Sequence, residues 1–274
     1  MGAGAMKAGY SPMRRLEGRR AIVTGAGSGI GQASALRFAA EGARVLAVGR
    51  TARTLAETVA EVRAAGGIAE PFVADATRED EVAAAVGHCL EALGGLEIFF
   101  ANAGNTDRMV PLFDQTVEIW EQQYRDNVIS AFLAVKHAGR HMVARGTGSI
   151  ILNSSTGSLR ANGGTMAYSA AKAAVNSLTM NAANAFAGTN VRVNAVLPGL
   201  TETGLTRPIF DHARSKGADG KLGALTPLRR TGRVEEIAAV AAFLASDDSA
   251  YVDGQLIAAD GGISSTHPFG RFAL

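Results

Sequence analysis

The sequence has 274 residues, of which 47% are hydrophobic, with 27 basic and 25 acidic side chains and a formal net charge of +2. This apolar fraction suffices for a packed core and excludes a disordered chain, while the small net charge and the 6% aromatic content argue against a nucleic-acid-binding surface. Cys89 is the only cysteine, which excludes an intrachain disulfide and predicts a buried thiol in a reducing compartment, the cytoplasm.

Apolar runs and helical patterns alternate along the chain. Residues 1–15 are rich in Gly, Ala and Arg and lack the apolar stretch of a signal peptide, so we expect a disordered tail. Short apolar runs predict strands at Arg20–Thr24, Arg44–Val48, Ile68–Ala74, Leu96–Ala101, Ser149–Leu152, Val191–Val196 and Gln255–Ala258. Helical spacing predicts helices over Ile30–Glu41, Thr54–Ala65, Glu79–Leu93, about Thr116–Ala144, Met166–Ala187 and Val234–Ala245.

This alternation predicts the fold class, an α/β Rossmann-type doubly wound parallel sheet of about seven strands with helices on both faces. We expect one domain over residues 16–265, followed by an extension over residues 266–274. The region Leu200–Thr226 has no clean period, which predicts a lid, with a passive surface insertion as the alternative. No run approaches ~18 uncharged apolar residues, so no membrane span is predicted.

A glycine-rich turn follows the first predicted strand and opens a helix. It reads Thr24-Gly25-Ala26-Gly27-Ser28-Gly29-Ile30-Gly31. Glycines at this spacing allow a tight turn and a close approach to a pyrophosphate, which the positive end of the following helix also favours. The motif therefore predicts a dinucleotide site, and a mere tight turn is the alternative.

The end of the second predicted strand bears on which dinucleotide is bound. A carboxylate there would favour NAD, because it accepts a hydrogen bond from the ribose 2′-hydroxyl and repels a 2′-phosphate. This chain has Arg50 and Thr51 instead, with Arg53 close by. Since a guanidinium can bind a 2′-phosphate, we predict that NADP is preferred over NAD.

Tyr168 and Lys172 are four residues apart on a predicted helix, which places both side chains on one face. A neighbouring ammonium favours the phenolate, so we expect Tyr168 to have a lowered pKa and to act as general acid/base near neutral pH. Ser155, at the end of the fifth predicted strand, could bind the substrate oxygen beside the phenol, with Ser154 and Ser158 as alternatives. Asn127, mid-helix, could hold a water that links Lys172 to solvent.

These motifs, in this order, resemble the short-chain dehydrogenase/reductase family, in the branch with single-domain subunits near 250 residues. The resemblance spans about Leu16 to Ile263 and includes Asn102-Ala103-Gly104, Pro198-Gly199 and Asp260-Gly261-Gly262. It implies an oxidoreductase that moves a hydride between a nicotinamide cofactor and a carbonyl or secondary alcohol, with Asn127, Ser155, Tyr168 and Lys172 as the catalytic residues. Four departures are Ala101 for a usual asparagine, Ser130 for a common glycine, Val234 for a usual proline and Ala185 for a frequent glutamate.

The resemblance also implies the contacts of the cofactor. Asp75 and Ala76 should meet the adenine, Lys172 the nicotinamide ribose, and the segment from Pro198 to Thr203 should close on the nicotinamide. The full set of predicted cofactor residues is Gly25, Ser28, Gly29, Ile30, Gly31, Arg50, Thr51, Asp75, Ala76, Asn102, Ala103, Gly104, Tyr168, Lys172, Pro198, Gly199, Thr201 and Thr203.

The remaining predictions concern partners and alternatives. The helix that carries Tyr168 has no charged residue from Ala173 to Ala187, so we expect it to be buried on both sides, one of them against another subunit in a homodimer or homotetramer. Besides a small carbonyl or alcohol, the substrate could be a 3-oxoacyl carrier or a polyol. Arg160, Asn162 and Met166 offer a pocket of mixed polarity. A non-catalytic nucleotide sensor on the same fold is the alternative of another class. We predict no metal at His137 and His141, because no third ligand is evident.

Overall fold

The predicted parallel sheet is confirmed by the structure, a computed structural model that describes residues 14–266. Within this part of the chain all strands pair in parallel, in one seven-stranded sheet of order β3-β2-β1-β4-β5-β6-β7. The strands are β1 Arg20–Thr24, β2 Arg44–Gly49, β3 Ile68–Val73, β4 Ile98–Ala101, β5 Thr147–Asn153, β6 Asn190–Pro198 and β7 Leu256–Ala259. Strand order reverses between β1 and β4, and in such sheets the crevice at the carboxyl ends of these strands is where ligands bind.

Helices cover both faces of the sheet. They are α1 Gly29–Ala40, α2 Ala52–Ala64, α3 Glu79–His88, α4 Val117–Tyr124, α5 Ser130–Arg145, α6 Met166–Ala185, α7 Arg207–Ser215 and α8 Val234–Ala245. Two apolar cores result, because neighbouring residues of a strand point to opposite faces. Phe99 packs with residues of α5 and α6, and Phe100 packs with residues of α1, α2 and α8.

The edge strand β3 is more exposed than expected for the apolar run that predicts it. It contains Glu70, and its first and last residues, Ile68 and Val73, are 51% and 57% exposed. It also contains Pro71, which cannot donate to a ladder hydrogen bond and suits an edge position. Cys89 is fully buried, as predicted, and this burial raises the pKa of its thiol to about 12.

Three helix predictions need correction. The helix predicted over Glu79–Leu93 is α-helical as far as His88 and continues as a π-helical turn over Cys89–Leu93. The long helix predicted over about Thr116–Ala144 contains a π-helical turn at Arg125–Ile129, between α4 and α5. The region predicted to be irregular contains α7, whose short amphipathic pattern is polar on most of its surface and has Pro208 in its first turn, where a proline is tolerated. The missed helix lies inside the segment predicted to be the lid.

The ends of the chain and α6 complete the comparison. Of the predicted tail, Arg14 and Arg15 are described, and Arg15 donates to Glu41 at 2.7 Å; residues 1–13 and 267–274 lie outside the described residues. The uncharged outer face of α6, which we expect another subunit to cover, is exposed in the single chain at Ala173, Ser177 and Met180, and this subunit contact stays a prediction. No helix within residues 14–266 has the length and apolar character needed to cross a bilayer.

Candidate active site

A cavity of about 400 Å³ opens at the carboxyl ends of β1, β2 and β4, where the topology places a ligand site. Twelve of the predicted cofactor residues lie on its wall: Gly25, Ser28, Gly29, Ile30, Arg50, Thr51, Asp75, Ala76, Asn102, Ala103, Gly104 and Thr203. Six others, Gly31, Tyr168, Lys172, Pro198, Gly199 and Thr201, do not line this cavity. The wall also contains residues that the motif analysis did not single out, among them Thr54, Thr77, Asn105, Asp126, Asn153, Gly204 and Leu205.

The glycine-rich turn brings the backbone of α1 to the cavity. Gly29 has a φ of +54°, in the left-handed region that favours glycine, and a side chain at Gly31 would overlap the carbonyl oxygen of Gly25. Gly31 therefore serves the packing of helix against turn rather than ligand contact. Ser28 stands at the N-cap of α1 without a side-chain capping bond, so the first amides of the helix and the Ser28 hydroxyl are available to an anion.

The adenosine end of the cavity carries one exposed cation and one shielded anion. Burial raises the pKa of the Asp75 carboxyl, but two hydrogen bonds from Thr77 (both 2.9 Å) and the nearby Arg50 and Arg78 guanidinium groups outweigh it, so this pKa is lowered. Arg53 forms an ion pair with Glu57 at 2.5 Å. Arg50 is exposed on the cavity wall and is thus the cation best placed for a phosphate at this end.

The residues present fit a dinucleotide. The glycine-rich turn and the N-terminus of α1 at the cavity match a pyrophosphate. The Arg50 guanidinium at the far edge of the cavity matches a phosphate on the adenosine. At the other end, the side-chain oxygen of Asn153 is buried without a hydrogen-bond partner among the described residues. An acceptor in this state matches the hydroxyl and amide donors of a nicotinamide riboside.

Tyr168 and Lys172 share one face of α6, as predicted, and the Lys172 Nζ lies 5.5 Å from the centroid of the Tyr168 ring. The predicted direction of the Tyr168 pKa is wrong for the cofactor-free protein. Burial raises the pKa of the phenol, and the interaction with the Ser155 side chain lowers it by less. Burial of the Lys172 amine lowers its pKa to about 7, so near neutral pH only part of the lysine population is protonated.

The three candidate serines separate by their hydrogen bonds. Ser154 donates to the Lys172 main-chain oxygen (3.1 Å) and to Asn176 (2.7 Å), and Ser158 donates to the Ser155 main-chain oxygen (2.5 Å). The Ser155 side chain accepts from the Gly157 amide at 3.0 Å and interacts with Tyr168. Ser155 therefore keeps its own proton to donate beside the phenol, whereas the other two hold the local backbone.

Asn127 lies in the π-helical turn and is buried. Its amide donates to the main-chain oxygens of Asn105 (2.9 Å) and Gln123 (3.0 Å), which binds the segment after β4 to α4. A side chain on Gly104 would lie 2.7 Å from the Asn127 oxygen and 3.3 Å from the Lys172 Nζ, so all three residues meet at one point. Such π-turns are frequent at functional sites.

Two loops frame the substrate side. Thr165, at the N-cap of α6, donates to the Asp107 carboxylate, which joins the loop after β4 to the loop before α6. Arg160, which is predicted to contribute to the substrate pocket, donates from its guanidinium to the main-chain oxygens of Ile263 and Thr266, the latter at 2.8 Å. Arg160 thus connects the loop before α6 to the turn after β7.

The segment predicted to close on the nicotinamide rests on the glycine-rich turn. A side chain on Gly29 would lie 3.3 Å from Thr203, and Gly204 and Leu205 also face the cavity. Thr201 is buried and holds the segment through its bond to the Gly199 oxygen (3.1 Å). The start of the segment predicted to be a lid, at residues 203–205, therefore lies on the wall of the cavity.

His137 pairs with a carboxylate rather than with His141, since its Nε2 lies 3.2 Å from Glu79. Within residues 14–266 there is no cluster of three or more His, Cys, Asp or Glu side chains that could hold a metal ion.

Comparisons with known proteins agree with this geometry. A family described as Enoyl-(Acyl carrier protein) reductase matches residues 25–264. The 3-oxoacyl-(acyl-carrier-protein) reductase FabG of Thermotoga maritima is 37% identical over 249 residues, which is 91% of this chain and 99% of that protein. The crystal structure of levodione reductase aligns with a TM-score of 0.88 at 32% identity, covering 92% of this chain and 100% of that one. A crystal structure of a protein from Beutenbergia cavernae, with bound NADP at low occupancy, aligns with a TM-score of 0.84 at 35% identity, covering 93% of this chain and 100% of that one.

Proposed function

Since the chain belongs to the short-chain dehydrogenase/reductase family, and is accordingly an NAD(P)-dependent oxidoreductase acting between CH–OH groups and carbonyls, we propose that Tyr168 is its general acid/base. The observation that carries this proposal is the shared face of α6 on which Tyr168 and Lys172 stand, beside Ser155. When bound, the nicotinamide delivers a hydride to a carbonyl carbon or accepts one from a secondary alcohol carbon.

In the reducing direction the Tyr168 hydroxyl gives its proton to the oxygen of the carbonyl that receives the hydride, and in the oxidising direction it takes that proton back. Ser155 donates a hydrogen bond to the same oxygen and stabilises its developing negative charge. Lys172, when protonated, favours the phenolate and orients the nicotinamide ribose. Asn127 braces the segment beside Lys172 and supports a water path from the lysine to solvent.

We propose NADP as the preferred cofactor. Arg50 is exposed on the cavity wall at the adenosine end and Thr51 stands at the N-cap of α2, so a 2′-phosphate would meet a guanidinium and a helix N-terminus together. Asp75 does not act against this, because Thr77 occupies one of its oxygens and Arg50 and Arg78 offset its charge.

The proposed substrate is an uncharged ketone or secondary alcohol with an apolar body. Leu205 on the cavity wall is 39% exposed, and Leu159, four residues after Ser155, is 49% exposed. The charged groups beside them are engaged, Arg160 with main-chain oxygens and Asp107 with Thr165. A 3-oxoacyl carrier is the second candidate, and the similarity to the Thermotoga maritima reductase favours it.

The decisive assay follows NADPH and NADH absorbance with a panel of substrates. It compares alicyclic ketones, a 3-oxoacyl thioester and a charged keto sugar acid such as 5-ketogluconate, all of them carbonyl compounds, each with both reduced cofactors. We expect turnover with NADPH and alicyclic ketones or the thioester to exceed turnover with the keto sugar acid. Equal efficiency with both cofactors would contradict the NADP proposal, and an absence of turnover with every carbonyl would contradict the catalytic one.

We propose a homo-oligomer, dimer or tetramer, located in the cytoplasm. The exposed uncharged face of α6, with Met180 49% exposed, adjoins α5, where Phe132 is 43% exposed, and both suit a subunit contact. The single buried Cys89 suits a reducing compartment. Light scattering at micromolar concentration and cell fractionation test the two proposals; a monomer, or an enzyme exported from the cell, would contradict them.

A further inference from the structure

Asn153 is the last residue of β5, at the carboxyl edge of the sheet where the cavity opens. Because Ala101 of β4 pairs with Leu152 of β5, the residues that follow these partners, Asn102 and Asn153, come side by side. The Asn153 amide nitrogen donates to the Asn102 side-chain oxygen at 3.0 Å. The register of two strands thus builds a pair of amides under the cavity.

The pair connects to the glycine-rich turn on one side. The side-chain nitrogen of Asn102 donates to the main-chain oxygen of Thr24 at 3.0 Å. The Thr24 hydroxyl in turn accepts from the main-chain N–H groups of Asn102 and Ala103, at 3.0 and 3.1 Å. Any movement of the turn on binding a pyrophosphate therefore reaches Asn153 through a single intervening side chain.

On the other side the pair connects to the catalytic lysine. Lys172 is only 3% exposed, and its Nζ donates to the main-chain oxygen of Asn153 at 2.8 Å. This is the one hydrogen bond of that amine within residues 14–266, which leaves two of its N–H positions for other acceptors. The position of the lysine therefore depends on the backbone of Asn153.

The side-chain oxygen of Asn153 is the remaining group, buried and without a partner among the described residues. A buried carbonyl oxygen left in this state costs roughly 1–3 kcal/mol. An apolar residue at this position would avoid that cost, so the amide is better explained by a donor that arrives with a ligand. The cavity that Asn153 lines is the proposed dinucleotide site, and its nicotinamide end lies on the side of Lys172.

We propose that Asn153 is a positioning residue that couples dinucleotide binding to Lys172. Its amide nitrogen is anchored on Asn102, its main-chain oxygen fixes the lysine, and its side-chain oxygen accepts a hydrogen bond from a hydroxyl or amide donor on the nicotinamide half of the bound dinucleotide. The proposal rests on the proposed function, because it needs the cavity to hold a dinucleotide in that orientation.

The test measures NADP binding by calorimetry for the full chain, wild type and Asn153→Ala, without a substrate. We expect the Kd to rise roughly three- to tenfold, the loss of about one hydrogen bond. The matched control is Asn194→Ala, which removes a buried strand amide on β6 whose bonds run to Val252 (2.8 Å) and Gln255 (2.9 Å), away from the cavity. Asn194→Ala should lower the Tm while the Kd stays unchanged.

A second variant covers the case in which Asn153→Ala does not fold and separates positioning from structure. Asn153→Asp keeps an acceptor and adds a negative charge beside Lys172, whose ionisable neighbour on the same helix is Tyr168. It should move the midpoint of the pH dependence of the NADP Kd upward, whereas Asn153→Ala, which adds no charge and keeps the main-chain oxygen that binds Lys172, should raise the Kd and leave this midpoint unchanged.

Unchanged Kd and pH midpoint in both variants, with only a lower Tm, would overturn the proposal and make Asn153 a structural residue. Failure of the proposed function gives a different result, because the wild-type protein would then not bind NADP at all. Wild-type binding together with unaffected variants would leave the function in place and remove only the role of Asn153.

Discussion

At the nucleotide end of the cavity the ligand-facing groups are backbone amides and exposed side chains such as Arg50, whereas the catalytic end, beside the cavity, consists of ionisable side chains, the buried Lys172 and the half-buried Tyr168. Backbone amides do not titrate in the physiological pH range, so binding at the nucleotide end depends on the shape of the cavity and on the charge of Arg50. At the catalytic end burial decides which protonation state is present. Substitutions at the two ends should therefore separate cofactor binding from proton transfer.

The largest expected effect is that of Tyr168→Phe. Removing the proton donor should lower kcat by about 10³-fold, within the usual contribution of general acid–base catalysis, while the NADP Kd changes little. Steady-state kinetics and calorimetry check the two quantities. Tyr251→Phe is the control, since Tyr251 is fully exposed and should leave both unchanged. Full activity in Tyr168→Phe would end the proposed division between the two ends.

Lys172→Met should affect activity and stability in opposite directions. It should lower kcat by about 10²-fold, because the phenol loses the charge that favours its ionised form. It should also raise the Tm, because folding withdraws the amine from water and lowers its pKa to about 7.

The sign of the stability effect follows from proton linkage. Below pH 7 the lysine is protonated in both states and its burial destabilises the folded protein in full. Between pH 7 and the ordinary lysine pKa of 10.5 only the unfolded state holds the proton, and stability rises with pH. The gain in Tm of Lys172→Met should thus be largest below pH 7 and vanish toward pH 10.5 in thermal melts. An equal gain at all pH values would contradict the buried-amine account.

The smallest effect is expected at the nucleotide end. Arg50→Ala should lower kcat/KM with NADPH roughly tenfold, the worth of one charge-assisted hydrogen bond, and leave kcat and the NADH reaction nearly unchanged. Arg53→Ala is the matched control, since Arg53 already pairs with Glu57. An unchanged ratio of NADPH to NADH efficiency in Arg50→Ala would show that another group sets the cofactor preference.

The features that the sequence predicted correctly are those that a local pattern of residues determines. The glycine-rich turn and the seven strands were predicted nearly at their observed bounds, because glycine spacing and short apolar runs are local signals. The pairing of Tyr168 with Lys172 was also local, since helix geometry fixes which residues share a face.

Other features depend on contacts between distant segments and left no local signal. The Tyr168 pKa was predicted in the wrong direction because spacing shows the neighbouring amine but not the burial of both groups. The hydrogen bonds between Arg160 and the turn after β7 join residues about a hundred positions apart. The hydrogen bond between Asn153 and Asn102 depends on the register of β4 and β5. The helix α7 was missed because it is short and mostly polar.

The central claim is that burial sets the acid–base state of the catalytic end until a cofactor completes it. It is tested most directly by titrating the Tyr168 phenol, as the ultraviolet difference between wild type and Tyr168→Phe, with and without NADP. We predict a midpoint above the ordinary tyrosine value of 10.0 in the cofactor-free protein, and a lower midpoint once NADP is bound. A midpoint below 10.0 without cofactor, or one that NADP does not move, would contradict this account.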